Sequence, residues 1–185
     1  DVSNNTALYQ FQCQNNDLTS LDVSNNTALI YLDCAGNQLT NLDVTNNIAV
    51  FNLQCNYNDL TSLDVSNNTA LVLLYCHYNQ LTSLDVRNGN NDSVIDFNTI
   101  NNPNLTCIDV DNAAWSTAHW TFANGNIDLQ HYFSNSCSGT GIEESTTSKE
   151  LFRKIDVLGR ETKGTNQPLF YIYDDGTVEK RITIE

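Results

Sequence analysis

Six cysteines, three histidines and a spaced series of aspartates are the residues of this 185-residue chain best equipped for chemistry. Cys13, Cys34, Cys55 and Cys76 recur 21 residues apart. Thiolates bind soft metals, but one cysteine per repeat sets thiols in a line and not at the corners of a tetrahedron. A redox chain is the other use for such a series. These positions alternate with solvent-facing ones, however, which predicts buried, inert thiols acting as core filler. Cys76 and His77 have the composition of a nucleophile and its base. On a strand, adjacent side chains leave opposite faces, so the thiol is expected inside and the imidazole outside. His119 and His131 lie among aromatic residues and are read as packing groups. Asp1, Asp22, Asp43, Asp64 and Asp85 form a second column. Stacked like charges repel unless hydrogen bonds or a cation offset them. Calcium takes oxygen ligands, but one carboxylate per repeat without a glycine-rich acidic loop favours turn-stabilising hydrogen bonds. Dedicated carboxylate pairs of the glycosidase kind cannot be located. The expectation is a chain that is not an enzyme and that uses no cofactor or metal.

Charge narrows the partners. Acids outnumber bases 22 to 8, for a net charge of −14. Residues 1–142 carry 13 of the acids and a single base, Arg87, whereas residues 143–185 carry 9 acids and 7 bases. A phosphate-binding surface needs clustered Lys and Arg, so neither nucleic acid nor an anionic membrane is an expected partner. No apolar run approaches the roughly 18 residues of a membrane span, and no membrane insertion is expected. The absence of Met and of a leader suggests a processed chain or a fragment. Asn occurs 28 times, which points to many repeated turns.

What must position these residues is a repeat. One unit reads LDVSNNTALxxLxCxxNxLTS, nearly unchanged at 21–41 and 63–83; the copy at 42–62 drifts at Thr45, Ile48, Ala49 and Val50. The stretch LxxLxCxxNxL occurs at Leu8–Leu18, Leu29–Leu39, Val50–Leu60 and Leu71–Leu81. It resembles the leucine-rich repeat family, in a short bacterial form with Cys at a core position, over roughly residues 1–110. Two apolar residues separated by one, such as Leu32 and Cys34, suit a short strand with one buried face. A single unit cannot bury that face alone, but stacked units share a core. The predicted architecture is an α/β-type, right-handed solenoid with a parallel concave β-sheet. Its core columns are Leu8/Leu29/Val50/Leu71, Phe11/Leu32/Leu53/Leu74 and the four cysteines. Asn16, Asn37, Asn58 and Asn79 are expected to be buried, their amides satisfying backbone groups. Ser24–Thr27 and Ser66–Thr69 read as capped turns opening short helical pieces on the convex side.

The organisation expected is four regular units plus a degenerate one over 1–106, a C-terminal cap at 107–138, a polar linker at 139–148 and a small all-β domain at 149–185. Val94, Ile95 and Phe97 read as the degenerate fifth strand, and Pro103 as the end of regular stacking. Trp115, Trp120, Phe122, Tyr132 and Phe133 are enough to cover the end of a solenoid core. CIDVDNAAWSTAHW resembles the C-terminal cap of this leucine-rich group, and that resemblance implies a Cys107–Cys137 disulfide. The first unit, starting at Asp1, is read as frayed or as preceded by further sequence. In the tail, Leu151–Leu158, Leu169–Tyr173 and Thr177–Ile184 read as strands, with an Asp174-Asp175-Gly176 hairpin turn between the last two. IDVLGRE, LFYIY and the final basic-alternating strand resemble the C-terminal sorting domain of the type IX secretion system. That resemblance implies engagement of this secretion machinery by 149–185. It also implies a secreted chain, or one held at the outer-membrane surface of a Gram-negative bacterium. Asp92-Ser93-Val94 also matches a glycosylation pattern of bacteria with this route.

Strand positions that vary while their frame is fixed are where a solenoid tunes recognition. The candidate binding residues on the concave face are Tyr31, Asp33, Gln54, Tyr57, Leu73, Tyr75, His77 and Tyr78. The cluster around Tyr75 and His77 is the most aromatic, a composition typical of interface anchors. Sequence thus predicts a secreted or surface-displayed module binding a protein or polysaccharide ligand. The alternative is a structural spacer within a larger exported protein.

Overall fold

A computed structural model of the chain describes residues 1–137, 151–156, 169–173 and 178–181. They fall into two units, Asp1–Ser138 and Gly139–Glu185. The first unit is a solenoid of parallel strands, each only three residues long. One sheet holds β1 (Gln10–Gln12), β2 (Tyr31–Asp33), β3 (Asn52–Gln54), β5 (Leu73–Tyr75) and β7 (Asp96–Asn98). A second sheet holds β4 (Ser62–Asp64), β6 (Ser83–Asp85), β8 (Cys107–Asp109) and β9 (Tyr132–Ser134). The register runs Phe11 to Leu32 to Leu53 to Leu74 to Phe97, one coil per step. Hydrogen bonding continues past the strand ends: the Cys34 N–H donates to Gln54 O at 2.8 Å and the Cys55 N–H to Tyr75 O at 2.9 Å.

The core columns stack as the repeat requires. Leu29, Val50 and Leu71 are buried, as are Leu32, Leu53 and Leu74, and Cys34, Cys55 and Cys76. Val94, Phe97 and Thr99 extend the three columns into the degenerate coil. Removing this apolar surface from water is the main driving force, at about 25 cal/mol per Å². Asn37, Asn58 and Asn79 are buried as expected, and Asn102 adds a further rung. Each amide spans two coils. Asn58 Nδ2 donates to Cys55 O at 3.1 Å and to Cys34 O at 3.0 Å, while its Oδ1 accepts from Leu39 N at 3.0 Å. Asn16 is exposed and reaches only carbonyls of its own coil, Cys13 O and Gln14 O.

The opposite side of each coil departs from expectation. Ser24–Thr27 and Ser66–Thr69 form no helix; they are tight turns. The Asn26 N–H donates to Val23 O and the Leu29 N–H to Asn26 O, so three-residue turns follow one another where a helix would need longer steps. The reason lies in Asn26, Asn47 and Asn68, a second buried amide column. Asn47 Nδ2 donates back to Val23 O at 3.0 Å and Asn26 O at 2.9 Å, so each carbonyl accepts both from its own turn and from the next coil. The SLDV segments beside these turns supply the second sheet, with Leu63, Val65, Leu84 and Val86 buried.

Beyond Pro103, which sits in a turn, β8 and β9 continue the second sheet. Helix α1 (Ala113–His119) is opened by Asn112, whose side chain accepts from the Trp115 N–H at 3.1 Å. It delivers Trp120 onto the end of the core, stacked on Phe97 at 4.2 Å between ring centroids. A Cys107–Cys137 disulfide, with Cα atoms 5.7 Å apart, closes this end. In the second unit, β10 (Leu151–Asp156), β11 (Leu169–Tyr173) and β12 (Val178–Arg181) form an antiparallel sheet in chain order. The linker expected at 139–148 and the turn at 174–176 lie outside the described residues.

Candidate functional site

The cysteine column is core. Cys34, Cys55 and Cys76 are fully buried and unpaired, and burial pushes all three thiols well up, Cys76 to about 12. The Cys55 S–H donates to Tyr75 O at 3.5 Å and the Cys76 S–H to Asn98 O at 3.7 Å. Past the end of β5, Cys76 is buried in the core, whereas His77 is half-buried among Tyr57, Tyr75 and Tyr78. Cys13, in the first coil, is only half-buried.

The aspartate column makes turns. Oδ1 of Asp22, Asp43, Asp64 and Asp85 accepts from the backbone N–H two residues on, at 2.8 to 3.0 Å. The Ser24 hydroxyl, with its backbone N–H, holds the Asp22 carboxyl below the usual range, and the Thr45 backbone N–H does the same for Asp43. Burial raises that of Asp85, but hydrogen bonds from Arg87 outweigh it and the net shift is downward. Arg87 bridges Asp85 and Asp109, neighbours in the second sheet. Among the described residues no group of three His, Cys, Asp or Glu is placed to hold a metal ion.

The outer face of the first sheet holds the candidate binding residues, in two groups. In the first, Gln54 Nε2 donates to Tyr31 Oη at 3.2 Å and to Asn52 Oδ1 at 3.3 Å. Asp33 stands beside Gln54 in the register but is only 7% exposed, contrary to the solvent-facing position expected. Gln12 and Gln54 flank it on the adjoining strands, and its Oδ1 turns back to accept from Ala35 N at 3.1 Å.

The second group is aromatic. Tyr57 and Tyr78 stack at 4.5 Å, with their rings 9° from parallel. His77 meets Tyr57 edge-on at 5.4 Å, Tyr78 at 5.8 Å and Tyr75 at 6.1 Å. Its Nδ1 is buried without a hydrogen-bond partner, and burial holds the imidazole below its ordinary pKa, so the ring is neutral at neutral pH. Tyr75 Oη donates to Asp96, a bond that pushes the phenol up to about 12. Leu73 lies opposite Asp96 in the register, half-buried.

One property of this group was not read from the sequence. Tyr57 and Tyr78 have φ of 55° and 54°, the left-handed region. The same slot is filled by Asn15 and Gly36 in the preceding coils, residue types suited to that backbone. That series, Asn then Gly then two tyrosines, was the available signal. Left-handed backbone costs roughly 1–2 kcal/mol for a bulky residue. Here it carries two rings that are 52% and 44% exposed, so core packing does not account for it.

The cap histidines pack. His119 stacks on Trp115 at 4.1 Å. His131 is buried; its Nδ1 accepts from Asp128 N at 3.2 Å and Nε2 faces Asn102 O at 3.4 Å.

No protein-family model matches the chain, and no curated protein matches it. Among solved structures the chain is similar to the functional domain of InlJ from Listeria monocytogenes, described as including a cysteine ladder. The identity is 41% and the TM-score 0.47, over 60% of this chain and 22% of that one. The chain therefore spans about a fifth of the length of the protein it matches.

Proposed function

We propose that residues 1–137 form a binding module of the adhesion type, which holds a protein ligand on the outer face of the first sheet. The observation that carries this reading is the pair Tyr57 and Tyr78, exposed and stacked on left-handed backbone beside Tyr75 and His77. Aromatic side chains of this kind supply large contact area at low entropic cost and dominate interface energies. A polysaccharide is the second reading, favoured by the half-exposed parallel rings, which suit the flat face of a sugar. The Cys107–Cys137 disulfide supports an oxidising, extracytoplasmic compartment. For the tail, the sorting-domain resemblance of 149–185 supports export through the type IX machinery to the medium or to the Gram-negative outer surface.

The test immobilises the full chain and a Tyr75→Ala/His77→Ala variant, and exposes both to protein and polysaccharide extracts. Capture by the native chain that the variant loses is the expected result. Equal capture by both would refute the face, and no capture by either would favour the spacer role.

A further inference from the structure

The left-handed slot of the first four coils reads Asn15, Gly36, Tyr57, Tyr78. Tyr78 covers one face of the Tyr57 ring. Towards the other face stands Gly36, which has no side chain to place there. Neighbouring coils are about 4.8 Å apart, so Tyr57 and Asn15 bracket a notch about 10 Å from backbone to backbone. Asn15 turns its amide over the floor of this notch: Oδ1 lies 2.6 Å from where a Cβ on Gly36 would sit. An aromatic ring and an amide oxygen thus stand two coils apart, on either side of a residue with no side chain.

Charge says what the flat group is. Residues 1–137 hold 13 aspartates against one base. That base, Arg87, is engaged with Asp85 and Asp109 of the second sheet. Asp33 and Asp96 belong to the first sheet itself. A planar cation is attracted by the ring quadrupole, the acceptor and the overall field alike. A guanidinium stacks on rings where an ammonium cannot.

We infer that the notch over Gly36, between Tyr57 and Asn15, takes the side chain of an arginine presented by a basic segment of a protein partner. The inference rests on the binding-face reading above and names the chemistry of its ligand. The guanidinium lies on the free face of Tyr57 and donates an N–H to Asn15 Oδ1. Tyr78 and His77 hold Tyr57 in place from the far side.

The probe is a short acetylated peptide with two arginines separated by glycines, titrated onto the full 185-residue chain. Peptides with lysine, or with uncharged citrulline, replace it in parallel titrations. The variants are Tyr57→Gly/Tyr78→Gly and Gly36→Asn. Both put residue types that favour left-handed backbone into the slot, and neither alters charge, so long-range attraction is retained; Gly36→Asn must also push the Asn15 amide aside, and a melting curve shows that each variant is folded. The arginine peptide should bind more tightly than the other two. Either variant should weaken it about 2- to 30-fold, the span expected of a cation–π contact. Its side-chain methylene resonances should shift upfield on the native chain alone. Equal affinity for arginine and citrulline, or unchanged affinity in both variants, overturns the inference. If no peptide binds while the Tyr75→Ala/His77→Ala variant still loses extract capture, the arginine assignment fails and the binding face stands. If neither is seen, both fail.

Discussion

Replacing Asn58 by Ala tests whether the amide column ties the coils together. Asn58 is buried, and the Leu39 N–H it accepts from is also buried. Truncation leaves that donor without its partner, at a cost of about 1–3 kcal/mol. Cys34 O and Cys55 O each lose a donor, at about 1 kcal/mol apiece. The expected loss is therefore about 4 kcal/mol. Asn16 is the internal control. It is exposed, its two bonds stay within its own coil, and Asn16→Ala should cost no more than about 1 kcal/mol. The assay is urea unfolding followed by far-UV circular dichroism and by fluorescence of Trp115 and Trp120, with the two probes required to coincide. In melting temperature the Asn58 variant should fall by about 10 °C, using 2–4 °C per kcal/mol for a chain of this size. If the two variants lose the same stability, or Asn58→Ala loses less than about 1 kcal/mol, inter-coil amide bonding is not what holds the array.

Thiol labelling under native conditions should modify Cys13 well ahead of Cys34, Cys55 and Cys76, since only Cys13 is half-exposed; equal rates would mean that the core opens globally before any thiol reacts. Spectrophotometric titration of the phenols should find Tyr75 ionising near 12, and Asp96→Asn should bring it back towards the ordinary value near 10; no difference between the proteins would remove the Tyr75–Asp96 bond from the account. His131 bears on acid stability. Burial lowers its folded pKa despite the Asn102 carbonyl and the Asp128 carboxylate, so the unfolded chain binds the proton more readily. Its contribution is complete above the unfolded value near 6.5 and is lost as pH falls from there through the folded value. His131→Gln should flatten that part of the stability–pH curve, measured by urea midpoints; an unchanged curve refutes the assignment.

The solenoid, its core columns and the Asn37–Asn58–Asn79 ladder were legible because a 21-residue period places identical residues in identical environments. The disulfide was legible only through resemblance to a cap. The second sheet was not read, although Ser62-Leu63-Asp64-Val65 alternates polar and apolar as a strand should. The adjoining SNNT drew a helical reading because Ser, Asn and Thr serve both as helix caps and as turn residues. What decides between them is Asn47 and its equivalents bonding to the preceding coil, a partner distant in sequence. At the candidate site the aromatic cluster was readable as composition. Its left-handed backbone was not, because a tyrosine in a slot that suits Asn or Gly breaks the local rule. Asp33 misled for a related reason: alternation assigns its face but not its depth, and its carboxylate turns back onto the Ala35 N–H.

The Asn37–Asn58–Asn79 ladder has a consequence for how such a surface can change. Each rung is fastened by an asparagine amide and main-chain carbonyls, none of which belongs to the outward side chains of β2, β3 or β5. Grip and legibility are thus assigned to different atoms. Outward residues can be rewritten without breaking these rungs, and swaps two coils apart should combine additively. A scaffold wired this way behaves like movable type, with the frame locked and the characters free.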